Sequence, residues 1–232
     1  MNDPTRIPRV LEELRATWEG QPDLTLPALF GILANRGAGW GASDEDLVEA
    51  LRKESALHPD LLPRDEEGRA AGRFLISTTN PTTRVTCSPN TVVIRAGGSQ
   101  SRQPAAWQYS AIRSTGPGRP LVIADENEID HRFGVVSLIT NLQSDDAIEL
   151  EGLEREDLGN YSWFLRLDDD RRVILGHKIR IWDASNRDIE HRQLSWHSVV
   201  QCVEGAPFIV QPAGGGTAID LGIVQEIELI EN

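Results

Sequence analysis

Residues 6–37 read RIPRVLEELRATWEGQPDLTLPALFGILANRG, and residues 44–51 read DEDLVEAL. Ile7, Val10, Leu11, Leu14 and Trp18 recur at three- and four-residue steps, which places them on one stripe of a helix over residues 7–19. Asp3 reads as its N-cap and Pro8 as part of its first turn. Gly20 and Pro22 end it. A second helix is expected from Pro27, capped by Thr25, with Leu26, Leu29, Phe30 and Leu33 as its buried stripe and Gly37, Gly39 and Gly41 as its stop. Ser43 and Asp46 form a capping-box pair that opens a third helix with Leu47, Val48, Ala50 and Leu51 on its apolar face. Trp18, on the first stripe, reads as core. Trp40, between two glycines, reads as a loop residue and a candidate partner-binding anchor, since tryptophan is enriched among interface hot spots.

The same stretch resembles the small helical bacterial YihD-like family at Arg6, Ile7, Val10, Leu11, Glu12, Leu14, Trp18, Pro22, Asp23, Leu24, Leu26, Ala34, Asp44 and Leu47. The resemblance covers under a quarter of the chain. It implies a helical fold and brings no established activity, so no catalytic residue is carried over from it.

Residues 61–72, with Pro63 and the charged run Arg64 to Glu67, read as a linker between a helical module over 1–60 and a β-rich domain over 73–232. From Arg73 onward, short runs rich in Val, Ile and Thr are punctuated by Gly, Pro, Asn and Asp, which predicts a mainly antiparallel barrel or sandwich. Ser88-Pro89-Asn90 and Asp168-Asp169-Asp170 are expected hairpin turns. The charged stretch 145–159 reads as a short helix or a surface loop. Two halves, 73–142 and 160–232, share a pattern. Trp107, Gly118, Pro120 to Ile123, Gly134 and Ile139 recur as Trp196, Gly205, Pro207 to Val210, Gly222 and Ile227, as two repeated small β units would require. In architecture such units resemble SH3-like barrels and bacterial pleckstrin-type domains, folds that serve widely as binding modules. The fold class is therefore α+β in two domains, a three-helix module followed by β structure.

The chain holds 232 residues with a formal net charge of −13. Residues 1–66 carry seven Arg or Lys against thirteen Asp or Glu, and the third helix opens Asp44-Glu45-Asp46. Groove binding to DNA needs a basic face, so neither nucleic acid nor an anionic membrane is an expected partner. The arginine-rich, lysine-poor composition suggests a bacterial source. The charged amphipathic start and the lack of a long apolar run point to the cytoplasm. Cys87 and Cys202 belong to no paired spacing and read as buried thiols.

For chemistry, Asp130, His131, His191, Ser195 and His197 supply the residue types of a hydrolase site, with Cys87 or Cys202 as alternative nucleophiles. No Gly-x-Ser-x-Gly elbow accompanies them. Asp168 to Asp170 and the five histidines lack metal-ligand spacings, and the arginines around the aspartates predict local ion pairs instead. Gly97-Gly98-Ser99 and Gly214-Gly215-Gly216-Thr217 lack the lysine of a phosphate loop. No metal or cofactor is expected. The leading expectation is a non-enzymatic adaptor or regulatory protein that binds another protein or itself, through the Gly37 to Gly41 loop and exposed strand edges. A hydrolase using Asp130, His131, His191 and His197 is the alternative, and a DNA-binding regulator comes third.

Overall fold

The computed structural model describes residues 5–98, 102–142, 148–183 and 190–232. The chain divides into two compact units, 1–98 with 106–143, and 99–105 with 144–232. The first contains three helices, α1 (Arg6–Gly20), α2 (Leu26–Asn35) and α3 (Asp44–Leu57), and a six-stranded barrel. Its strands are β1 (Phe74–Thr79), β2 (Thr83–Cys87), β3 (Thr91–Ala96), β4 (Ala105–Ile112), β5 (Pro120–Asp125) and β6 (Asp130–Asn141).

The local helix signals act as expected at α2 and α3. Thr25 accepts from the Ala28 amide at 3.4 Å, and Ser43 and Asp46 cap each other reciprocally. Asp3 lies outside the described residues, and the N-cap position of α1 is Thr5, whose side chain makes no capping bond. Gln21, Arg36 and Glu54 tie the three helices together. The buried Glu54 carboxylate takes Gln21 Nε2 at 2.9 Å and Arg36 Nη1 at 2.7 Å.

The face by which α1 packs differs from the expected one. Thr17 and Gly20 are its buried residues. Thr17 Oγ1 donates to the Leu51 carbonyl of α3 at 3.1 Å, and a Cβ on Gly20 would run into the carbonyl oxygen of His58. Small side chains let the backbones approach, so the stripe Ile7, Leu11 and Trp18 turns outward instead of forming core. Trp18 is 39% exposed, its indole N–H donating to the Leu24 carbonyl at 2.8 Å, and Phe30 on α2 is 41% exposed.

Barrel closure comes from antiparallel pairing of β1 with β6, where Phe74 faces Asn141 and Ile76 faces Ile139. Closure leaves this sheet no free edge, so the edge contacts expected from sequence have no place here. Residues 61–72, expected as a linker, are fastened to the barrel. Leu62 and Ala70 join its core, the Leu62 amide donates to Thr115 O, and Arg64 bridges Ala70. The helices rest on the same barrel through His58 Nδ1, which donates to Ile139 O at 3.1 Å, and Asn141 Nδ2, which donates to Ala56 O.

The second unit has strands β7 (Ser162–Leu167), β8 (Arg172–Leu175), β9 (Ile179–Asp183), β10 (Glu190–Leu194), β11 (Trp196–Gln201), β12 (Pro207–Pro212) and β13 (Ile219–Glu231). Their order is β10-β9-β8-β7-β13-β12-β11. Since only Ser195 separates β10 from β11, the two serve as one interrupted strand in the place of β4, and the pairing order of the first barrel recurs. Described residues of the 145–159 stretch form turns that bury Leu150, Leu153 and Leu158 in this unit's core. The two expected hairpin turns join β2 to β3 and β7 to β8.

Register locates the repeat more finely than spacing does. Ile112 faces Ile123 as Val199 faces Val210, and one step further out Tyr109 faces Asp125 as Trp196 faces Pro212. The counterpart of Trp196 is therefore Tyr109, not Trp107. A register shift follows the aromatic residue in both copies. Each aromatic is buried and donates to the carbonyl that follows the second strand of its copy: Tyr109 Oη to Ser88 O at 2.7 Å, Trp196 Nε1 to Gly176 O at 2.8 Å. Gly118 and Val136 exchange backbone bonds through Arg119 as Gly205 and Val224 do through Ala206. Gly134 (φ 96°) and Gly222 (φ 118°) both take the left-handed backbone against the first hairpin of their copy, where a Cβ would collide with the Thr79 carbonyl in the first and meet the end of the Arg171 side chain in the second.

Tyr109 Oη also accepts from the Ala70 amide at 2.9 Å. Tyr109→Phe strands a buried N–H and a buried C=O, so it is expected to cost about 1–3 kcal/mol, read as a lowered urea midpoint of the barrel's unfolding transition.

Candidate functional site

Three places gather the residues singled out by sequence. The first is the helical module. Ile7 and Leu11 on α1 are 57% and 58% exposed. Leu11, Leu14, Trp18, Pro22 and Leu26, with Arg15 and Glu19, line a groove of about 530 Å³. α2 carries no charged residue over its ten positions, and only Leu29 and Leu33 are buried. Pro27, Ala28, Phe30, Gly31 and Ala34 all face outward. Beyond its end, a turn closed by the Ala42 amide on Gly39 O presents Trp40, which is fully exposed. A helix apolar on all faces is ordinarily covered, and a contiguous exposed apolar patch marks an interaction site. Sequence reading assigned Phe30 and the α1 stripe to the core. The signal it could have used is the absence of any polar face on α2.

The second place is one end of β5 and β6. Asp125 accepts from the Asn127 and Ile129 amides at 2.8 and 3.0 Å and from His131 Nε2 at 3.0 Å. These donors hold its carboxyl below the ordinary value, the His131 bond contributing most. His131 also lies against Trp107, with ring centroids 5.6 Å apart, and Phe133 stands 5.9 Å from the same indole. Asp130 turns to Arg113 Nη2, 3.1 Å away, instead of orienting His131.

The third is the β9–β10 pair of the second unit, where His191 lies against Trp182 at 5.1 Å. Its Nε2 is buried without a hydrogen-bond partner among the described residues. Arg171, Ile181, Asp183, His191 and Arg192 line a cleft of about 310 Å³ there. His197 is exposed on β11. The candidate set is thus divided, with Asp130 and His131 in one unit and His191 and His197 in the other.

The expected local ion pair at the aspartate run is present, Arg171 Nε meeting Asp169 Oδ2 at 2.6 Å. Among the described residues no group of three or more His, Cys, Asp and Glu is arranged to hold a metal ion. No helix among them is long and apolar enough to cross a membrane. A scan against protein-family models, a search of curated proteins and a search of solved structures each returned no match to this chain.

Cys87 and Cys202 are both free and buried in the cores of their units, and burial pushes each thiol up to about 12. The thiolate is the reactive form. Neither is expected to react with a disulfide reagent at neutral pH until the chain is unfolded, and a fast-reacting thiol in the native chain would contradict the packing described. In a carboxyl NMR titration Asp125 is expected to protonate below the ordinary aspartate range. Because its folded value is depressed, its contribution to stability is present above the unfolded value and is lost as pH falls through the folded one.

Proposed function

We propose that this protein is a non-enzymatic interaction protein of adaptor type, which binds another protein through its helical module. The observation that carries the reading is the set of large apolar side chains that α1, α2 and the Trp40 turn each leave exposed. Leu29, Leu33, Ala50 and Leu51 form the core of the module, while Ile7, Leu11, Trp18 and Phe30, whose spacing predicts burial, are displayed. Burying one such side chain fully is worth about 1.5–3 kcal/mol, before the costs of association are met. Ile7, Leu11, Trp18, Phe30 and Trp40 are the large exposed apolar side chains of the module. Aromatic residues dominate among them, as at the centres of protein interfaces.

The barrel of the first unit is fastened to the helices through His58, Asn141 and the 61–72 segment. Their fold alone assigns no activity.

The test compares affinity capture from a bacterial lysate by the full chain and by the full chain carrying Phe30→Glu and Trp40→Ser, both at exposed positions. A protein held by the first and lost by the second, at unchanged circular dichroism, is the expected result. Equal capture by both would remove the helical face from the function.

A further inference from the structure

The groove on α1 has a charge character as well as an apolar lining. All six cationic side chains of the helical module are held by acids of the same module. Arg6 pairs with Asp44, Arg9 with Glu45 and Arg15 with Glu19. Arg36 pairs with Glu54, Arg52 with Glu13 and Lys53 with Glu49. Three carboxylates of α1 to α3 and their loops stand outside these pairs: Glu12, Asp23 and Asp46. Asp46 is engaged in the capping box of α3.

Glu12 and Asp23 remain, and both are exposed. Glu12 follows Leu11 and Asp23 follows Pro22, so each is next in sequence to a residue of the groove lining. Arg15, which lines the groove with Glu19, faces both Glu19 and Glu12, so the three together carry one net negative charge. Among the described residues the apolar strip therefore has a net negative surround, one charge from Glu12 with Arg15 and Glu19 and one from Asp23.

Resting on the interaction reading above, we infer that the occupant of this groove is a basic amphipathic helix of another protein, its apolar stripe on Leu11, Leu14, Trp18 and Leu26 and its Lys or Arg residues toward Glu12 and Asp23. The stripe from Ile7 to Trp18 spans three turns of α1, about 16 Å at 1.5 Å per residue. That is the length over which helix-in-groove anchors at i, i+3 or i+4 and i+7 are read. Opposite charges at the rim of such a site set orientation and exclude wrong partners. A second copy of this chain fits less well, because a two-fold contact would set the acids of one groove against those of the other.

The probes are two synthetic amphipathic helical peptides with one leucine pattern, the polar face filled with lysine in one and glutamate in the other. They are titrated against the full chain, against Leu11→Gln, and against the Glu12→Gln, Asp23→Asn double variant. All three positions are exposed, so folding is preserved, and circular dichroism checks it. The expected result is saturable binding of the lysine peptide only, weakened roughly tenfold by Leu11→Gln and several-fold by the charge variant. Equal binding of both peptides, or lysine-peptide binding that Leu11→Gln leaves unchanged, overturns the inference. So does a wild-type dimer in sedimentation equilibrium that Leu11→Gln dissociates. Failure here, beside capture that still depends on Phe30 and Trp40, leaves the interaction reading standing and removes only the basic helix.

Discussion

Each β unit depends on a pairing between strands far apart in sequence. β1 meets β6 in the first and β7 meets β13 in the second, with Ile76 facing Ile139 and Leu165 facing Ile227. Loop-closure entropy must be met before such a pair is rewarded, so the intervening hairpins have to hold register first. The buried aromatics Tyr109 and Trp196 act at that point, joining the fourth-strand position to the turn after the second strand. In the first unit the same phenol also reaches Ala70, so closure of the barrel and docking of the 61–72 segment share one hydroxyl.

That segment in turn governs the helices. With Leu62 and Ala70 in the barrel core, His58 and Asp60 are brought against the barrel and the end of α1. A Cβ at Gly20 or at Gly116 would run into their backbone carbonyls. α1 therefore meets its neighbours through Thr17 and Gly20, and Ile7, Leu11 and Trp18 are left exposed. The exposure of the apolar face follows from how the helices pack and needs no separate explanation.

What could be read from sequence was what local chemistry decides. Thr25, the Ser43–Asp46 box and the turns at Ser88 to Asn90 and Asp168 to Asp170 are short-range devices, and strands rich in Val and Ile announce themselves. β4 and β10 are hard to read as strands because AAWQYSAI is rich in alanine, which is depleted in strands, and EHRQL is almost wholly polar. The orientation of α1 was illegible because Thr17 and Gly20, weak signals in a sequence, outcompete Trp18 for the inside through close backbone approach. The linker reading of 61–72 failed for a similar reason, since two isolated apolar residues do not reveal a docked segment. Spacing paired Trp107 with Trp196 because it matched tryptophan to tryptophan, whereas the counterpart of Trp196 is a tyrosine two positions beyond Trp107. Division of the histidines between two units was beyond any pattern in the chain.

The charge-free outer surface of α2 bears on how this protein behaves in concentrated solution. Closed hydrogen bonding in the first barrel removes one route to templated aggregation, which leaves exposed apolar side chains such as Phe30 and Trp40 as another. At neutral pH an excess of thirteen negative charges keeps molecules apart. That repulsion vanishes near the isoelectric point of about 4.8, where two such faces meet without electrostatic opposition. Colloidal stability of the unpartnered chain is thus set by its carboxylates, and acidification exposes the cost of carrying an uncovered apolar helix.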